Sequence, residues 1–187
     1  ERGLADPAVR RHAAVRREAA RLAARPPKGP VIAAGSTGSV PSTAELIGVV
    51  ARLETGAAVL PGLDFDLDDD AWGALEPESG DPVPGHPQYG LRLLLDGLGI
   101  TRADVRRLGG APEPEHAARR RLLSECLRPP ETSDRWADFA AAIAAKAFPL
   151  DTALDGLALI EAKSEGEEAL AVALALREAV EDPAKTA

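Results

Sequence analysis

A parallel α/β sheet interrupted by a mostly helical insertion is the fold class this sequence predicts, and three observations predict it. Residues 30–34 and 57–61 are short, continuously apolar runs, as buried parallel strands would be. Between them lies a helix-like stretch, so strand, helix and strand follow one another within one βαβ unit. Near the end, residues 157–161 read as another strand and are followed by an amphipathic helical pattern.

The elements follow in order. Residues 8–25 read as a basic helix in which Val9, Ala13, Ala20 and Leu22 alternate with Arg10, Arg11, Arg16, Arg17, Arg21 and Arg25. Pro26 and Pro27 break it. Such a helix can touch phosphates, although a charge run is more often a solvated face. The run 31–34 leads into the loop Gly35, Ser36, Thr37, Gly38, Ser39. Ser42 with Glu45 has the S-x-x-E pattern of a capping box opening a helix to about Leu53. Two buried strands of this kind require helices on both faces of their sheet. Residues 62–85 are acidic and rich in Pro and Gly, and helical spacing returns over 88–98. Thr101 with Asp104 caps a short helix, and residues 109–114 form a linker. Helices are predicted over 115–127 and 133–148, each stopped by proline. Ser164 with Glu167 is a further capping box, opening a helix through Val180.

Four segments result: a basic helix and linker over 1–29, a βαβ core over 30–64, an acidic loop and helical insertion over 65–150, and a second α/β start over 151–187. The 187 residues are 45% hydrophobic and 28% charged, ordinary for a globular chain, but only 3% aromatic. The core must therefore rest on Leu, Val, Ile and Ala. A net charge of -8 argues against an autonomous nucleic-acid-binding module while leaving room for a local basic surface. A single cysteine, Cys126, excludes an internal disulfide and a cysteine zinc site, and fits a reducing compartment. The first residues are charged with no apolar stretch behind them, and no run approaches the roughly 18 to 20 residues of a membrane span. The chain starts at Glu1 and contains no Met, which reads as an internal piece of a longer protein.

The motifs that could carry chemistry are incomplete. The Gly35–Ser39 loop lacks the Lys that follows the last glycine of a phosphate-binding P-loop, so a small-residue turn is the simpler reading. Asp64, Asp66 and Asp68 begin a calcium-loop pattern, but Asp69 stands where the turn glycine belongs and Leu75 where the bidentate Glu belongs. Asp64 to Asp70 is therefore expected to be a solvated acidic segment or an acidic helix start, with no metal. His12, His86 and His116 are dispersed, no nucleophile elbow is present, and Cys126 reads as a small core residue. No catalytic residue and no metal ligand is assigned.

Residues 31–46, beginning Val31-Ile32-Ala33-Ala34-Gly35-Ser36-Thr37-Gly38-Ser39, resemble a characteristic stretch of the AddB family of alphaproteobacteria. So do residues 56–64, the tract His86-Pro87-Gln88-Tyr89-Gly90-Leu91, Leu122-Leu123-Ser124-Glu125, and the ending Leu159-Ile160-Glu161-Ala162 with Glu167-Glu168-Ala169. AddB is the helicase-like and nuclease subunit of a bacterial complex that processes DNA double-strand breaks for recombination. The resemblance implies a degenerate superfamily 1 helicase-like scaffold of P-loop NTPase type in the cytoplasm. It implies AddA as partner and double- and single-stranded DNA as ligand. It implies an iron–sulfur cluster for the parent only, since one cysteine cannot supply four ligands. In an active motor of this class the strand equivalent to 31–34 would be followed by metal-binding acids. Gly35 and Ser36 stand there instead, and a hydroxyl cannot supply the negative charge. Arg16, Arg17, Arg119, Arg120 and Arg121 are the candidate DNA-facing residues. Two other readings stay open: a stand-alone α/β nucleotide- or phosphate-binding domain using 35–39, and a protein-interaction module.

Overall fold

The computed structural model of the chain describes residues 6–76, 85–109 and 113–181. Its first helix, α1 (Pro7–Ala24), starts where the Asp6 carboxylate accepts the Ala8 N–H at 2.6 Å and proline occupies the first turn. Val15, Ala19 and Leu22 recur at helical spacing, and Ala19 and Leu22 are fully buried. This apolar stripe lies on α2 (Pro41–Ala51).

That packing displaces the expected capping box. The residue before α2 is Val40, which offers no side-chain cap, and Ser42 sits inside the helix, 2% exposed. Its hydroxyl lies 3.0 Å from His12 Nδ1, and Glu45 faces Arg16 at 3.5 Å. Pro41 supplies the pre-set backbone angle that starts the helix instead.

β1 (Val31–Ala34) and β2 (Gly56–Val59) pair in parallel, in the register Val31↔Gly56 to Ala34↔Val59, with α2 as the crossover. The sequence reading of a βαβ unit holds here, in a mixed and mostly helical fold with one two-stranded sheet among the described residues. Gly56 is required by contact: it donates to the Leu53 carbonyl, and a Cβ would overlap the Val50 carbonyl oxygen. The sheet is not covered on both faces as expected. Val31 and Ala33 are half-buried, whereas Ile32 is 65% exposed and Ala34 and Ala57 are also exposed. The helix α2 covers one face, and the described residues place little on the other.

The mostly helical region after β2 contains two small cores. Leu63, Leu67, Ala71, Trp72 and Leu75, from the acidic segment and α3 (Asp69–Gly73), pack on Leu91 and Leu95 of α4 (Tyr89–Leu98). In the second, Ala118 of α5 (Pro114–Cys126) meets Phe148 and Ala153, with Phe139 of α6 (Trp136–Ala144) edge-on to Phe148 at 4.9 Å. The helix predicted over 133–148 is two pieces. Residues Pro130–Arg135 form a 3₁₀ turn, because Thr132 leaves helical angles and the Thr132 and Ser133 hydroxyls donate to the Pro129 and Pro130 carbonyls. The helix proper starts at Trp136. Thr101 and Asp104 do form the predicted box. Part of the predicted linker, residues 110–112, lies outside the described residues, as does 77–84.

The chain divides into two units, residues 1–153 and 154–187, and α7 (Leu150–Leu154) ends at that division. In the second unit, residues 157–161 are not a strand. Leu157, Leu159 and Ile160 are 58%, 86% and 65% exposed, and among the described residues no neighbouring strand takes up their backbone groups. The helix α8 (Glu165–Glu181) forms where predicted, with the Ser164 hydroxyl accepting the Glu167 N–H at 3.3 Å and the Glu167 carboxylate accepting from Lys163 N rather than from Ser164 N. None of its residues is buried.

Substituting Gly56→Ala should cost roughly 3 kcal/mol or more in urea unfolding, as overpacking against backbone does. Gly29→Ala, where a Cβ meets nothing within 4 Å, should stay within about 0.5 kcal/mol of wild type. Equal costs at the two positions would contradict this packing.

Candidate functional site

The loop 35–39 leaves the carboxyl end of β1, the edge where ligands gather in open α/β sheets. Gly35 donates to the Val59 carbonyl at 3.2 Å, prolonging the ladder by one bond. Gly38 is buried with φ +67, donates to Ser36 Oγ at 3.2 Å, and lies so close to Leu94 that a Cβ would come within 2.9 Å of its Cδ1. Ser36 and Thr37 are half-buried and Ser39 exposed. The position is the carboxyl edge of the strand, and part of the donor set around it is engaged within the chain. Pro41 has no N–H, and the Thr43 and Ala44 amides both go to the Val40 carbonyl at 2.9 Å. Gly35 and Gly38 are also bonded internally, so four amides along this stretch are already committed within the chain.

The acidic segment is not simply solvated. Asp64 accepts the Asp66 and Leu67 amides at 2.8 and 3.1 Å and so turns the chain. Asp66 pairs with Arg120 at 2.6 Å, Asp68 with Arg128 at 2.7 Å, Asp69 with Arg102 at 2.8 Å, and Asp70 with Arg135. Asp68 also accepts the Ala71 N–H at 2.9 Å and caps α3, as an acidic helix start would. Arg102 and Arg92 lie over the Trp72 ring at 4.6 and 5.6 Å from its centroid. Arg128, with its side chain 4% exposed, bridges Asp68 to Glu125. Burial alone would raise the Asp68 pKa, but the Ala71 N–H and the Arg128 and Arg135 cations outweigh it and hold the carboxyl below its ordinary value. Burial acts against the Arg128 charge too, yet Asp68 and Glu125 raise its pKa further.

Each arginine of the α5 triplet also has a partner within the fold. Arg119 donates to the Ala153 carbonyl at 3.0 Å, Arg120 holds Asp66, and Arg121 lies over the Phe148 ring at 5.9 Å. Arg16 faces Glu45, while Arg17 is exposed on the outer side of α1. His86 is fixed in one tautomer, donating from Nε2 to the Leu127 carbonyl at 2.6 Å and accepting the Gln88 N–H on Nδ1. His116 is exposed, as is Cys126, which corrects its expected place in the core. Sequence reasoning missed Gln88, whose amide accepts from Asp64 N and donates to the Gly62 carbonyl, and Arg128, because lone polar residues carry no periodic signal.

Among the described residues no group of three or more His, Cys, Asp or Glu side chains is placed to hold a metal, and no helix is long and apolar enough to cross a membrane. No family model, no curated protein and no solved structure matches the chain.

Replacing Arg128 by Met should cost roughly 2–4 kcal/mol, because Glu125, and Asp68 in part, would keep a charge without a partner. Because the folded pKa of Asp68 is depressed, its stabilisation is present above the unfolded value of about 3.9 and is lost as pH falls through the lower folded value. Urea midpoints measured from pH 7 to pH 2 should therefore fall below about pH 4. Asp68→Asn should flatten that fall, and an unchanged slope would refute the role given to Asp68.

Proposed function

We propose that this chain is a helicase-like α/β segment without motor chemistry, acting as a scaffold in an AddB-like subunit of a DNA double-strand break end-processing complex. The observation that carries this reading is the parallel β1–α2–β2 unit with loop 35–39 at its carboxyl edge, bearing hydroxyls where a motor would bear acids. The nearby acids do not compensate. Asp66, Asp68, Asp69 and Asp70 are neutralised by arginines, and Asp64 is occupied by backbone amides. A magnesium ion would have to displace several charge-assisted bonds to recruit them. The resemblance over residues 31–46 and 56–64 supports the AddB assignment and, with it, AddA as partner.

A stand-alone phosphate-binding domain is the less favoured reading, because the amides at the start of α2 are engaged within the chain. The test has two arms. The purified chain incubated with ATP and magnesium should release no phosphate above background. Mixed with an alphaproteobacterial AddA, it should co-elute in size exclusion. Phosphate release that follows the protein through purification would overturn the non-catalytic reading, and failure to co-elute would overturn the AddB-like one.

A further inference from the structure

We propose that the outward face of α1 is a docking surface for the phosphate backbone of nucleic acid, and that the triplet Arg119, Arg120 and Arg121 is not. The inference rests on the DNA-processing reading above and assigns it a surface. Over residues 7–29 the chain carries Arg10, Arg11, Arg16, Arg17, Arg21, Arg25 and Lys28 against Glu18 alone, a local charge of +6 in a protein of net -8. Packing on α2 fixes which side of α1 faces out: Val15, Ala19 and Leu22 turn inward, and His12 and Arg16 reach Ser42 and Glu45.

The opposite side holds Arg10, Arg17, Arg21 and Arg25, spaced by seven, four and four residues, with Arg11 on its flank. At the rise of an α-helix, Arg17, Arg21 and Arg25 stand about 10, 16 and 22 Å along the axis from Arg10. All five are exposed. Among the described residues, Arg10, Arg11, Arg17 and Arg25 make no side-chain ion pair, whereas Arg21 is held by Glu18 at 2.6 Å. The residues between them on this face, Ala13, Ala14 and Ala20, are small, and Val9 in the first turn is the one large apolar side chain exposed on the helix. A protein interface is centred on buried aromatic or long aliphatic anchors, and a single valine at the helix start does not supply one. A row of guanidinium groups in which Arg10, Arg17 and Arg25 have no carboxylate partner among the described residues fits a polyanion, which it binds by releasing its counterions.

The test compares the full chain with R10Q/R17Q/R25Q, with the charge-conserving R10K/R17K/R25K, and with R106Q/K163Q/R177Q as a control of equal charge change. A fluorescent 20-base-pair duplex and a 20-base single strand are titrated from 50 to 200 mM KCl. Wild-type duplex binding should weaken with salt. The glutamine triple should lose three contacts, so its slope of log affinity against log salt shrinks by about 2.7 on duplex, or about 2.1 on a single strand. Contacts of that number correspond to roughly fortyfold of salt-sensitive affinity across this range on duplex. The lysine triple and the control triple should retain the wild-type slope, and the probe on which the slope falls by its full expected amount identifies the source of the phosphates. Absence of binding at 50 mM KCl, an equal loss in the control triple, or equal affinity for poly-glutamate would each overturn the proposal. The ATP and AddA assays are separate measurements on the unsubstituted chain, so failure of this proposal and failure of the DNA-processing reading are read from different experiments.

Discussion

The pairing of the acidic run 64–70 with arginines from later in the chain is the constraint on which the helical region after β2 depends. Four carboxylates there meet Arg102, Arg120, Arg128 and Arg135, which lie 33 to 65 residues away. Aromatics make up only 3% of the chain, and the two cores of this region are small. Apolar burial alone therefore leaves the relative placement of α3, α5 and the turn before α6 weakly specified. Directional bonds from guanidinium forks to carboxylates supply that specification, each with a defined geometry rather than an area. Most of these pairs are partly exposed, so individually they stabilise little. Arg128 differs because it is buried and serves two acids at once. Its role is as much to exclude other arrangements as to add stability.

The fold was legible where local rules and tertiary packing agree. The runs at 31–34 and 57–60 lack polar residues, and they form the two strands in the expected parallel pairing, with β2 starting at Gly56. Helices bounded by proline or glycine, such as α4 and α5, were also placed within a residue or two. Failures occur where a side chain had a distant partner. Ser42 matched a capping pattern, but burial against His12 decided its position. Residues 157–161 have strand composition, yet a strand needs a neighbour, and none is present among the described residues. The open side of the sheet at Ile32 has the same origin, since apolar composition predicts burial without saying what provides it.

The candidate site was legible in position and not in its chemistry. A glycine-rich turn after an apolar strand marks the carboxyl edge of a sheet from sequence alone. Whether its amides are free depends on hydrogen bonds that no motif encodes. Gly38 shows why: its place in the pattern suggests a phosphate cradle, but its close approach to Leu94 makes it a packing glycine. The acids of 64–70 posed the same ambiguity. An Asp-rich run is a metal site only if its charges are available, and here arginines have taken that place.

That use of arginine also determines what the rest of the surface can do. A net charge of -8 suggests a protein that repels polyanions, but the average conceals two different populations of cations. Arg92, Arg102, Arg120, Arg128 and Arg135 are spent on carboxylates within the helical region after β2, so they present little free charge outward. The helix α1 has five arginines, followed by Arg25 and Lys28; Glu18 answers Arg21 and Glu45 of α2 answers Arg16, and among the described residues the other arginines have no carboxylate partner. At physiological ionic strength charge is felt over about 8 Å, so a ligand near α1 senses that helix and not the distant acids. Each arginine of the α5 triplet, the more conspicuous motif in the sequence, has a partner within the fold, whereas most of the less conspicuous row on α1 has no carboxylate partner among the described residues. Net charge is thus a poor guide to the partners of this chain, because pairing inside the fold, rather than composition, decides which cations remain to act on them.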